Sequence, residues 1–207
     1  MEITAIEPRR KSFSQLYIDG ESAVKIDAET MIRSGFRVGS QISDEQLFEL
    51  IQASDARRAS EKALYLLESR NHSKKELEDK IARTAASREA AKAAAQHMED
   101  IGLVDDESFA RDFAHQMYTY KKFGDARVRQ ELMRKGIDRD LISQIIEEHD
   151  NSEKYDNIRA VLEKRYGSYN SDEKVKRRAV AALQRLGYRY DEIKTVITEE
   201  ENYDYEF

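Results

Sequence analysis

The chain has 207 residues, no cysteine, one proline and a formal net charge of −6, and 37% of its residues are Asp, Glu, Lys or Arg. This length supports one sizeable core or two small ones, and the missing cysteines exclude disulfides, thiolate metal sites and a cysteine nucleophile. The acidic balance argues against a dedicated non-specific DNA binder, which needs a positive face. With no run of eighteen apolar residues and no apolar segment at the N-terminus, neither a membrane span nor a signal peptide is expected, and the reducing cytoplasm is the default compartment.

Residues 1–42 are expected to form a small strand-rich module. Leu16 and Ile18 alternate before Asp19-Gly20, and Val24 and Ile26 after it, which is the pattern of a β-hairpin around a turn that needs positive φ. Two strands are marginal alone, so Ile3, Ile6 and the segment "FRVGSQI" are expected to add strands or docking surface. Ser43 to Gln46, "SDEQ", has the form of a capping box and predicts a helix start. Beyond it the apolar residues recur at helical spacing almost to residue 200, in a chain whose mean hydropathy is −0.80.

That helical part divides into repeats. "LMRKGIDRDLI" aligns without a gap with "LQRLGYRYDEI", Leu132 with Leu183 and Ile142 with Ile193, a spacing of 51 residues. "ELEDK", from Glu76, matches "ELMRK", from Glu131, and suggests an earlier copy. Each copy is read as three helices. The first runs over Ala59 to Arg70, Ser73 to Thr84 and Ser87 to Ile101, and the second over Asp106 to Tyr120, Asp125 to Lys135 and Arg139 to Glu148. The third runs over Ser152 to Tyr166, Ser171 to Leu186 and Asp191 to Glu200. Gly102, Gly136 and Gly187 are placed as left-handed stops after helices. The expected architecture is mainly α, with tandem three-helix repeats stacked into an elongated array and a small β-hairpin module in front. The boundaries are a linker helix and first repeat over 43–104, a second repeat over 105–150, a third over 151–200 and a solvated acidic tail over 201–207.

No grouping for chemistry stands out. His72, His97, His115 and His149 are scattered without metal-ligand spacing, and Asp105-Asp106 sits where a helix cap belongs. No phosphate-cradling glycine loop or nucleophile elbow occurs. No cofactor, metal or catalytic residue is expected, and the chain reads as a binder.

The candidate contact surface is basic. Lys121 and Lys122 precede the second helix of the middle repeat, on which Arg127, Arg134 and Lys135 occupy neighbouring positions and which also carries Arg129. A helix-turn-helix-like unit would set such a helix against a phosphate backbone. The plain alternative is a solvated face balanced by Glu131 and Asp138. Among the tyrosines of the third repeat, Tyr188 takes the place of Ile137 and is expected to pack, whereas Tyr169 and Tyr190 are freer for an interface.

Three motifs in order carry a resemblance. They are Arg70 with Ser73, Glu76, Leu77 and Lys80; then Gly102, Leu103, Asp105, Asp106, Phe109 and Ala110; then Gly124, Arg127, Arg129, Glu131, Leu132, Lys135, Gly136 and Ile137. In these the chain resembles the RecX family, regulators of the RecA recombinase, most closely over residues 57 to 149. Asp125 departs from the family pattern, in which a proline is common after the glycine. The resemblance implies a monomer that docks on the RecA–DNA filament and modulates, with inhibition favoured, its ATPase and strand exchange in homologous recombination, DNA repair and the SOS response. Arg70, Lys80, Lys121, Lys122, Arg127, Arg129, Arg134 and Lys135 are the candidate partner-binding residues. Single- or double-stranded DNA is a further candidate for the basic middle repeat. The alternatives are a direct DNA-binding repressor of helix-turn-helix type and a generic helical-repeat adaptor.

Overall fold

A computed structural model of the chain describes all residues except 85, 86, 168, 170, 171 and 205–207. The chain separates into two compact units that meet at Asp105 and Asp106.

The first unit opens on three strands, β1 (Ile3–Arg9), β2 (Phe13–Ile18) and β3 (Glu21–Asp27), in an antiparallel sheet with β2 in the middle. The hairpin expected around Asp19-Gly20 is there, with both turn residues at positive φ, and β1 completes it as a third strand. Ile3, Leu16, Ile18 and Ile26 turn one face of the sheet into a core, which Met31, Ile42 and Leu50 close. "FRVGSQI" therefore supplies docking surface through Ile42, and Gln41 adds a single bridge to Glu2. A short helix that the alternation of apolar residues did not announce, α1 (Ala28–Ser34), follows β3 directly. The Asp27 carboxylate caps it by accepting from the Thr30 N–H at 2.9 Å.

Helix α2 (Asp44–Ser69) begins at the expected capping box, with Ser43 and Gln46 exchanging backbone bonds. It runs unbroken for 26 residues, so the helix expected to start at Ala59 is its second half. The Asp27 N–H donates to Ser54 Oγ at 2.8 Å and Arg57 Nε lies 3.1 Å from Asp27, which pins the sheet to α2. The second half packs with α3 (Lys74–Ala82) and α4 (Arg88–Asp100) around Leu77, Ile81, Met98 and six alanines. Alanine at Ala59, Ala63, Ala90, Ala91, Ala94 and Ala95 lets these helices approach closely at little cost in side-chain entropy.

The second unit contains two successive three-helix cores. Helices α5 (Asp106–Thr119), α6 (Asp125–Arg134) and α7 (Arg139–Glu147) enclose Phe109, Ala114, Val128, Leu132 and Ile142. Helices α8 (Asn151–Tyr166), α9 (Glu173–Leu186) and α10 (Tyr190–Asp204) enclose Ile158, Leu162, Leu183, Ile193 and Val196. The gap-free alignment reappears in the caps: Ile137 N–H reaches Leu132 O at 3.2 Å and Tyr188 N–H reaches Leu183 O at 3.2 Å, each across a glycine at positive φ.

Two expectations are corrected. Residues 201–204, read as a solvated tail, continue α10 instead, while 205–207 lie outside the described residues. Tyr169, read as free for an interface, is buried in the α8–α10 core, because the turn after α8 folds it back through its N–H to Tyr166 O at 2.8 Å. The predicted helix start at Ser171 also lies outside the described residues, and the cap that is seen is Asp172.

Candidate functional site

Helix α6 presents the basic residues of the middle repeat. Val128 and Leu132 bury its inner face, so 3.6-residue periodicity sends Ala126, Arg129, Gln130, Met133 and Arg134 to solvent. The six basic candidates in this region have different situations. Arg127 forms a 2.7 Å ion pair with Glu131, lies over the Phe123 ring at 5.5 Å and is only half exposed. Arg134 reaches the same carboxylate from the next turn at 3.4 Å. Lys135 lies over the Phe113 ring at 5.4 Å. Arg129 is exposed and donates to the uncharged Ser143 Oγ of α7 at 3.2 Å. Lys121 is exposed, and Lys122 is half-buried in the bend before α6 with φ of 52°. Glu131 thus neutralises part of the basic face, and Arg129 with Lys121 are its outward charges.

Arg70 and Lys80 sit in the first unit, at the end of α2 and in the last turn of α3. Both turn onto Glu76, at 2.6 Å and 3.5 Å. Beneath them His72 is buried 3.5 Å from the same carboxylate. Burial, reinforced by the Arg70 and Lys80 charges, lowers its pKa and keeps it neutral. The Arg70–Lys80 motif therefore braces the α2–α3 corner as well as presenting charge.

The bend before α6 is held by an arrangement that the sequence does not display. Asp125 accepts from Lys154 Nζ of α8 at 2.6 Å and from Tyr118 OH at 3.0 Å, and His149 Nδ1 lies 3.3 Å away. Lys154 also reaches Glu192 of α10 at 3.2 Å. Tyr118 stacks on the His149 ring with 3.5 Å between centroids, and Asn157 donates to the Tyr118 carbonyl at 3.2 Å. Tyr188, the expected packing tyrosine, is buried and its hydroxyl donates to the Lys122 carbonyl at 3.0 Å. Gly124 and Gly187 meet backbone to backbone, with Gly124 N–H on Leu186 O at 2.9 Å and Ala126 N–H on Gly187 O at 3.2 Å. The basic segment is thus mounted on the following repeat by charge, hydrogen bonds and close glycine contact.

Burial of Asp125 disfavours its charge, but the hydrogen bonds from His149, Lys154 and Tyr118 and the Lys154 charge outweigh that and hold the carboxyl at about 2, below its ordinary 3.8. Burial likewise opposes the Lys154 charge, and Asp125 with Glu192 raises its pKa nonetheless. For Asp125 the unfolded chain binds its proton first as pH falls, so its contribution is complete above about pH 4 and disappears as pH drops toward 2. Between pH 5 and 2.5 the melting temperature of the wild type should fall more than that of Asp125→Asn, read by circular dichroism. Parallel curves would show that Asp125 contributes nothing to the acid transition.

Among the described residues no group of three or more His, Asp or Glu is placed to hold a metal ion, and no helix is long and apolar enough to cross a membrane. The family model for the second three-helix domain of RecX matches residues 105–146, and that for the third matches residues 152–197. The regulatory protein RecX of Caldanaerobacter subterraneus is 29% identical over 179 residues, which cover 86% of this chain and 90% of that protein. The regulatory protein RecX of Clostridioides difficile is 25% identical over 98% of this chain and 97% of its own.

In both matched domains, and over most of its length, the chain is similar to the RecX family.

A crystal structure of a regulatory protein RecX shares the fold, with a TM-score of 0.67 at 18% identity over 94% of this chain and 98% of that one. A second, of RecX from Lactobacillus salivarius, has a TM-score of 0.63 at 22% identity and covers 71% of this chain and 97% of its own. The two matched RecX domains coincide with the α5–α7 and α8–α10 cores. The glycine contact and the Asp125 cluster therefore lie at the seam of the two segments that match RecX domains. Residues Lys154, Asn157 and Glu192 escaped the sequence reading because each is an ordinary polar residue on its helix. The departure at Asp125 from the pattern that the resemblance implies was the one available signal.

Proposed function

We propose that this chain is a RecX-type, non-catalytic regulator that binds the RecA–DNA filament and inhibits its ATPase and strand exchange. The observation that carries this reading is the outer strip of α6, where Arg129, Gln130 and the 45% exposed Met133 lie together on a firmly mounted helix. A cation and an apolar side chain fixed on one rigid surface suit a partner with acidic groups around an apolar patch. Lys121 and Arg134 extend the strip, and Lys122, Arg127 and Lys135 support its loop and helix. Arg70 and Lys80 provide a further basic contact from the first unit. Tandem three-helix domains give such a regulator several contacts at once, and linked contacts gain from high effective concentration.

The test is ATP turnover by RecA on single-stranded DNA with the chain titrated in, beside a control without RecA. Inhibition well below one chain per RecA, with no turnover by the chain alone, is the expected result. Arg129→Glu should raise the half-inhibitory concentration about tenfold, the loss typical of a contributing interface residue. Reversal of the exposed Lys194 in the third repeat should change it little. Equal effects of the two reversals would reject the α6 strip as the contact. No inhibition at equimolar chain, together with tight duplex binding without RecA, would indicate a DNA-binding repressor instead.

A further inference from the structure

The first unit concentrates positive charge that the RecX-domain matches do not cover. Two adjoining recesses, of about 500 and 720 Å³, share Lys11 and Phe13 in their walls. Their cations come from three separate parts of the chain: Arg9, Arg10 and Lys11 at the β1–β2 turn, Lys25 on β3, and Arg58 and Lys62 on α2. Two carboxylates, Asp27 and Glu61, also line the surface, and both are already engaged by Arg57. Arg9 is paired with Glu7 at 2.7 Å, whereas Arg10, Lys11 and Lys25 are exposed with no carboxylate partner among the described residues. In a chain of net charge −6, this is a local excess that folding creates.

Aromatic rings stand among these cations. The Arg58 guanidinium lies 4.4 Å from the centre of the Phe13 ring and Lys62 Nζ lies 4.8 Å from that of Tyr65. The rings thus hold two of the charges in place, which lowers the entropic cost of using them in binding. Tyr65 is 66% exposed and leaves ring surface for a further stacking partner. The turn itself is unusual, since Lys11 and Ser12 both adopt positive φ, at 61° and 58°, without being glycine.

We infer that this surface binds single-stranded nucleic acid, with the six cations following the phosphate backbone and Tyr65 stacking on a base. Phosphate charge accounts for the cations, and a sequence-tolerant stacking platform accounts for an exposed aromatic between them. Tyrosine also serves protein and membrane interfaces; a single strand is favoured here because it brings phosphates to the cations and a flat base face to the ring within one chain. The inference is independent of the reading of α6, because its test contains no RecA.

The experiment is fluorescence anisotropy of a labelled oligothymidylate with the full-length chain, from low to moderate salt. Arg10→Glu with Lys25→Glu should weaken binding at least tenfold and lower the slope of log affinity against log salt by about 0.7 for each lost phosphate contact. Tyr65→Ala should weaken it about tenfold with the salt slope unchanged. Arg185→Glu with Lys194→Glu, the same charge change at exposed third-repeat positions, should have little effect. Unchanged thermal melts would confirm that each variant is folded, and Tyr65→Ala carries the test alone if the double reversal is not. Equal losses from the two double reversals would mean that binding follows net charge, and would overturn the site. Preference for polyglutamate or for anionic vesicles over the oligonucleotide would overturn the ligand class.

Discussion

Asp125→Ala is expected to destabilise the second unit by about 3 kcal/mol, measured by urea denaturation followed at 222 nm. The magnitude is that of breaking a buried ion pair by removing one partner, which strands the other charge away from water. Lys154 is 7% exposed and, among the described residues, keeps only Glu192, at 3.2 Å, once Asp125 is gone. That remaining partner places the loss at the lower end of the range. Tyr118 OH loses its acceptor in the same step, and it is a buried phenol whose ionisation burial and the neighbouring Asp125 charge already suppress. The double variant Asp125→Ala with Lys154→Met should recover much of the loss, because an apolar side chain of similar length removes the stranded ammonium while Glu192 still accepts from the Arg189 N–H at 2.7 Å. A loss below about 1 kcal/mol for the single variant would reduce the cluster to an ordinary solvated pair. Should the double variant be no better than the single one, the cost would come from Tyr118 and His149.

Gly187→Ala should cost about as much or more, for a reason of space. Gly187 has φ of 100°, and a Cβ there would run into the backbone nitrogen of Arg127, lying 2.6 Å from the Arg127 Cβ and 2.9 Å from the Gly124 carbonyl oxygen. Backbone cannot rotate aside as a flexible side chain does, so the two repeats would have to part. Parting them breaks the Gly124 N–H to Leu186 O and Ala126 N–H to Gly187 O bonds. Left-handed strain of about 1–2 kcal/mol adds to about 1 kcal/mol for each bond lost. Gly124→Ala meets the same surface from the other side, at 2.5 Å from the Gly187 carbonyl carbon. Gly102→Ala is the control, since its φ of 76° carries the strain but nothing lies within 4 Å of the added atom. It should lose only about 1–2 kcal/mol. If Gly187→Ala were no worse than Gly102→Ala, the seam would be pliable, and α6 would not be firmly mounted. If it is worse, hydrogen exchange should also show faster opening of α6 and α9 together.

These two sites show where reading residues in order stops. Gly187 was legible as a helix stop, because a glycine after an apolar helical period has that meaning locally. Its second role, as the surface on which Gly124 rests, depends on a residue 63 positions away in the chain and leaves no local trace. Arg127 was read as a basic contact residue, and its ion pair with Glu131 was visible at i, i+4 spacing. Its backbone nitrogen beneath Gly187 was not visible, which is why Arg129 is the cleaner probe of binding. In the first unit the run Arg9-Arg10-Lys11 stood in plain view. It became part of a surface only when the sheet and α2 brought Lys25, Arg58 and Lys62 beside it.

Apolar period, capping residues and glycine positions by themselves determined the mainly helical class, the N-terminal hairpin, most helix starts and the equivalence of the second and third repeats. These are local consequences of side-chain alternation, orphan backbone groups and allowed φ. Tertiary structure alone decided that the helix begun at Ser43 runs unbroken through Ala59, that Tyr169 is buried, and that Asp125, Lys154 and Glu192 share one charge cluster. Each of these is settled by burial and electrostatics between segments far apart in the chain, where the energy depends on distances that no sequence spacing specifies.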